Sequence, residues 1–133
     1  EIAELLQFPI LTLNKRHASR EVFDAACKLA GALPLIKLES YSPHTLFSMA
    51  AAGNGVAIVP SSANSFPGGL VRKPVTLRGQ RIEFDICAMW NNSAPLPAYG
   101  QRFVDELRGA IQADAEEERM RRHQVLPVSR RVA

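Results

Sequence analysis

Glu39-Ser40-Tyr41-Ser42-Pro43-His44-Thr45-Leu46-Phe47-Ser48-Met49-Ala50-Ala51-Ala52-Gly53-Asn54-Gly55-Val56-Ala57-Ile58-Val59-Pro60 is the stretch that decides the fold. Ser42-Pro43 reads as a helix start: a capping hydroxyl, then proline at the first helical position, where its missing N–H costs nothing. Leu46, Phe47, Met49 and Ala50–Ala52 are apolar nearly all round, which predicts a buried helix. Gly53 stops it. Gly55–Val59 is an apolar run of strand length closed by Pro60.

The same alternation continues upstream. Leu33–Glu39 reads as a strand, and so does the apolar run Phe8–Leu13. Between them Ser19 is the expected N-cap, with Glu21 in the first turn where the helix dipole favours an anion. Val22, Phe23, Ala26, Leu29 and Ala30 recur at helical spacing until Gly31. Strands alternating with helices predict right-handed βαβ units and a parallel sheet, and residues 9–59 hold two such units. The fold class is therefore α/β.

Downstream, Ser61–Gly69 is a loop rich in Ser, Asn, Pro and Gly. Leu70–Arg72 and Val75–Leu77 read as short strands and Glu83–Trp90 as a longer one. Pro95-Leu96-Pro97 then leads into a helix striped by Tyr99, Phe103, Leu107 and Ile111. Trp90 is expected in the core or at a subdomain junction. Residues 114–133 are highly charged and are expected to fray into a disordered tail.

Composition narrows the function. The 133 residues suit one compact domain, or a small domain and part of a second. The hydrophobic fraction of 47% supports a core, and the charge of +3 is spread along the chain rather than gathered as nucleic-acid binding would need. Arg119, Arg121, Arg122, Arg130 and Arg131 could touch phosphates, but an exposed tail is the simpler reading. Cys27 and Cys87 both lie in apolar patterns and read as small buried hydrophobes, which favours a reducing, cytoplasmic compartment. No secretory leader opens the chain, and no apolar stretch nears the ~18 residues of a membrane span, so no membrane association is expected. The start at Glu1, without an initiator Met, suggests a piece of something longer.

Catalytic chemistry finds no foothold. Ser48, Ser61 and Ser62 lack a Gly-x-Ser-x-Gly elbow. Gly53-Asn54-Gly55 precedes a strand, whereas a dinucleotide loop opens a helix. His17, His44 and His123 have no metal-ligand spacing. The expectation is no enzyme, no catalytic residue, no metal and no cofactor.

The stretch 39–60, with its Thr, apolar Met, Ala-Ala-Gly and Gly-Val-Ala-hydrophobic-hydrophobic-Pro, resembles a signature of LysR-type transcriptional regulators. Arg20–Gly31 resembles the family helix ending Ala-Gly, and Pro9-Ile10-Leu11 the strand entering the second subdomain. Met89-Trp90 and Phe103-Val104-Asp105-Glu106-Leu107 resemble the closing elements. The resemblance covers residues ~5–113 and implies a periplasmic-binding-protein-like (type 2) effector-binding domain, with two α/β subdomains around a cleft. On it, residues 1–113 divide into the second subdomain (9–80) and a return to the first (81–113), followed by the tail 114–133. It further implies an effector-sensing domain that forms a homo-dimer or tetramer and reaches DNA only through an N-terminal helix-turn-helix absent from this chain. The alternative from the same fold group is a fragment of a transporter's solute-binding protein.

The effector is expected at Ser40, Tyr41, Ser42, Pro43, Thr45, Ser61 and Phe66. Ser42, Thr45 and the N–H groups of residues 43–45 lie at a helix N-terminus beyond a strand's carboxyl end, where open α/β sheets bind ligands and the dipole favours anions. A small organic anion is the favoured class. The alternatives are ordinary: Ser42 as a simple cap, Tyr41 covering the core edge, Ser61 and Ser62 solvating a loop.

Overall fold

Every residue of β1 (Ile10–Leu13) is buried, and the surrounding structure is organised around that strand. The computed structural model describes residues 1–63, 67–91 and 93–123. β2 (Ile36–Ser40) pairs with β1 in parallel on one side, and β3 (Val56–Ile58) does so on the other, giving the order β2-β1-β3. The register sets Leu13 beside Ser40 and Thr12 beside both Glu39 and Ile58.

Alternation along β1 sends its side chains to two cores. Ile10 joins Phe23, Ala26 and Cys27 of α2 (Ala18–Leu29), together with Ile58 and with Ile2 of α1 (Ile2–Leu5). Leu11 and Leu13 join Leu46 of α3 (Pro43–Ala51), with Leu38 and Ala57 packed alongside. The two helices thus cover opposite faces of one sheet, and the central strand is buried throughout and apolar but for Thr12 because both of its faces are covered.

Both helices end in the same device. After α3, the Gly53 N–H bonds the Ala50 carbonyl at 2.9 Å and the Asn54 N–H bonds the Met49 carbonyl at 3.0 Å, with Gly53 at φ +77°. This Schellman turn needs a left-handed residue, which glycine supplies without strain; α2 closes likewise at Gly31. Gly55 has a different duty. A Cβ there would run into the Pro9 carbonyl oxygen, the atom that accepts the Val56 N–H at 2.9 Å and starts the β1–β3 ladder.

A short antiparallel hairpin follows, β4 (Thr76–Leu77) and β5 (Gln80–Arg81), turned by Arg78 and Gly79, both at positive φ. The Glu1 carboxylate accepts the Gly79 N–H at 2.6 Å, a bond that lowers the pKa of Glu1 despite some opposing desolvation. The last element is α4 (Ala98–His123).

Several expectations need correction. α2 begins one residue after His17, which occupies the cap position assigned to Ser19. α3 is not buried all round: Leu46 and Phe47 are buried, whereas His44, Thr45, Ser48 and Ala51 are exposed. Leu70–Arg72 forms no strand, and α1 was not anticipated. Glu83–Trp90 forms no strand either, because no neighbouring backbone pairs with it among the described residues; Ile86, Met89 and Trp90 stand exposed, and so does Cys87. The stretch 114–123, read as tail, is helical, continuing α4; residues 124–133 lie outside the described residues.

The chain forms two compact units, Glu1–Asp85 and a second opening at Ile86. In the second, Tyr99, Phe103, Leu107 and Ile111 of the α4 stripe are exposed.

Candidate functional site

The path of the chain fixes where a ligand can be held. From β1 the chain crosses by α2 to β2, then returns by α3 on the other face to β3, so the connections on either side of β1 diverge. Open α/β sheets bind ligands in the crevice beyond the carboxyl ends at such a point. Here that edge is made by Asn14 after β1, Ser40 at the end of β2 with Tyr41 and Ser42 after it, and Pro60–Ser62 after β3.

Ser42 occupies the N-cap of α3 with extended backbone and Pro43 follows at the first position, as the sequence requires. Its hydroxyl nevertheless makes no capping hydrogen bond. Its own N–H donates to the Ser40 Oγ at 3.0 Å, and the Ser40 carbonyl accepts the Asn14 N–H at 3.0 Å. Ser40 therefore stitches the ends of β1 and β2 to the start of α3. Pro43 has no N–H, so the expected donors at residues 43–45 reduce to those of His44 and Thr45, which have no intrahelical partner.

Tyr41 is 74% exposed and covers no part of the core. Ser40, Ser42 and Pro43 are half-buried and Thr45 is exposed, so these five residues form one continuous corner. Ser61 and Ser62 are exposed and belong to the opposite side of the same edge, separated from that corner by β1, roughly two strand spacings of ~4.8 Å each. The Ser61 and Ala63 carbonyls accept hydrogen bonds from Arg72, at 3.1 and 3.4 Å. Phe66 lies outside the described residues.

Two polar residues, one in β1 and one just after it, were missed. Asn14, read only as part of a turn, sits at the centre of the edge: its Oδ1 accepts the Arg16 N–H at 2.9 Å, and its Nδ2 is buried without a hydrogen-bond partner. The Thr12 Oγ1 is likewise buried and unpartnered. Buried polar groups are nearly always satisfied, so two orphans at the end of the central strand mark an unusual place. Only their position in and directly after the middle strand distinguishes them, and that emerges from the sheet order.

Arg20 was also missed. It is 4% exposed, and its guanidinium reaches Asp24, Glu39 and the Leu13 carbonyl. Burial opposes its charge, but hydrogen bonds to Glu39 and Asp24 outweigh that and raise its pKa. Among the described residues no three His, Cys, Asp or Glu side chains gather as metal ligands, and no helix is long and apolar enough to cross a membrane.

A parallel sheet covered on both faces, with its open edge at the topological switch, defines a ligand-binding α/β domain. The family model of the LysR substrate binding domain matches residues 1–112, and the chain belongs to that family: a periplasmic-binding-protein-like type 2 domain of LysR-type transcriptional regulators, which senses an effector. No curated protein and no solved structure gives a significant match. The match favours a regulator over a transporter's solute-binding protein.

Proposed function

We propose that this domain senses a small organic anion held at the carboxyl edge of the β2-β1-β3 sheet. The observation that carries the reading is the corner at the start of α3, where the Ser42 hydroxyl is free of capping duty and the His44 and Thr45 N–H groups point out of the helix end. A carboxylate accepts these donors, helped by the helix dipole. Ser40 and Pro43 shape the corner, Tyr41 stands beside it, and Ser61 belongs to the loop after β3; Phe66, outside the described residues, stays a proposed contact on the sequence reading alone.

The domain works by linkage: the effector favours one arrangement of the regulator, and so shifts how the regulator presents its DNA-binding domains. No residue acts as a catalyst, and the regulator is cytoplasmic. Self-association runs along the edge formed by the end of α2 and by β2, where Leu29, Leu33 and Leu35 are exposed, Leu33 to 95%. Apolar side chains grouped in this way favour association. Light scattering is expected to show a dimer or larger species that Leu33→Lys shifts toward monomer; a clean wild-type monomer at high concentration contradicts this.

The test of the site is a thermal-shift screen of small organic acids against the regulator, followed by calorimetry with the best ligand on wild type and Ser42→Ala. Loss of a charge-assisted hydrogen bond is expected to weaken binding by about 1.5–3 kcal/mol. Unchanged affinity moves the site elsewhere.

A further inference from the structure

Arg20 lies on the first turn of α2, on the sheet face opposite α3, yet two of its three bonds reach the edge described above, the third staying within α2. Its Nη1 donates to the Leu13 carbonyl at 3.1 Å and to the Glu39 carboxylate at 2.7 Å, while its Nε donates to Asp24 at 2.8 Å. Leu13 and Glu39 are the residues immediately before Asn14 and Ser40. The guanidinium thus ties the last residue of β1 and the penultimate residue of β2 to one helix, just where the two strands lead into the Asn14 and Ser40–Ser42 corner. A planar fork with several fixed donors suits this task, and a lysine, with one compact ammonium, does not.

We propose that Arg20 is a positioning residue for the effector corner: through Leu13 and Glu39 it fixes the spacing of Asn14, Ser40 and Ser42, and thereby the aim of the first turn of α3. This rests on the reading that the corner receives the anion. Parallel pairing of β1 with β2 runs up to Leu13 beside Ser40. Beyond it Ser40 adds two single hydrogen bonds, its carbonyl accepting the Asn14 N–H and its hydroxyl the Ser42 N–H. A buried cation joining three partners is costly to disturb, so the ends of β1 and β2 are held more firmly than those bonds alone allow.

Amide hydrogen exchange on the full chain separates positioning from general support. The reporters are the Asn14 and Ser42 N–H groups at the carboxyl edge; the controls are the Ile10 and Val56 N–H groups, bonded to the Leu35 and Pro9 carbonyls at the opposite edge of the same sheet. In Arg20→Lys, exchange at Asn14 and Ser42 is expected to quicken about tenfold while the controls change less than about twofold. Glu39→Gln provides a milder variant at a partly exposed position, keeping shape and hydrogen bonding but removing charge, and the same pattern is expected at smaller amplitude. Equal acceleration at both ends in both variants, or none at Asn14, overturns the positioning role. A parallel titration with acetate follows the His44 and Thr45 amide signals, and weaker shifts in Glu39→Gln than in wild type support the link to binding. If acetate moves neither signal in wild type, the anion corner is overturned, and the exchange pattern still judges Arg20 independently.

Discussion

β1 and the segment Glu83–Trp90 are both apolar runs of strand length, yet only β1 is a strand. β1 has a parallel neighbour on each side and a helix on each face, so its backbone groups are paired and its side chains find two cores. The later segment has none of these among the described residues, and Ile86, Met89 and Trp90 remain exposed. Hydrophobicity supplies the drive to be buried, but a strand also needs a neighbour for its N–H and C=O groups. The same contrast separates α3, whose Leu46 is fully buried, from α4, whose apolar stripe is bare.

The contrast is sharpest in stability. Leu46→Ala empties part of a closed core and is expected to cost about 2–5 kcal/mol, whereas Ile86→Ala removes an exposed side chain and should stay within about 0.5 kcal/mol. Urea unfolding measures both; equal losses would mean that Ile86 is buried in solution. Gly55→Ala comes next. The added Cβ must push the Pro9 carbonyl away from the start of the β1–β3 ladder, at a cost of about 1–3 kcal/mol. The analogous change at Gly109 of α4, where nothing lies within reach of a Cβ, is expected to be neutral or slightly stabilising through better helix propensity.

Much of this was legible beforehand. The helix–Gly–strand order in residues 42–59 specified the βαβ units, and Pro43, Gly53 and Gly55 each occupy the place their backbone chemistry dictates. The same reading proposes the corner at Ser40–Thr45 as the effector site, and of it the structure gives the helix start at Ser42-Pro43. Other features were not local. Arg20 looked like one surface charge on a helix, because its partners Leu13 and Glu39 become neighbours only when β1 and β2 pair. Asn14 looked like a turn residue until the sheet order put it at the centre of the edge. Cys87 and Trp90 misled in the opposite sense, since their apolar surroundings in sequence have no counterpart in contacts.

Ser42→Ala should cost the fold only a few tenths of a kcal/mol, less than the ~1 kcal/mol of a bonded cap, because its hydroxyl makes no capping bond. A melting temperature lowered as much as for a working cap would show that the hydroxyl is engaged. The smallest effect expected is in the cysteines. Burial raises the Cys27 thiol pKa, so its contribution to stability is complete below the ordinary thiol range, about 8.5, and declines as pH rises through the higher folded value. Cys27→Ala should flatten this alkaline decline in melting temperature. Cys87, which is exposed, should react with a thiol-labelling reagent in the native state far faster than Cys27.

The most direct measurement is a map of backbone amide shifts on the full chain during titration with acetate and succinate. The largest shifts are expected at Asn14, Ser42, His44, Thr45 and Ser61, around the carboxyl ends of the three parallel strands. Shifts gathered instead at Cys27, Lys28 and Leu33, which line the recess at the far end of α2, or no saturable shift at the carboxyl edge, would contradict the account.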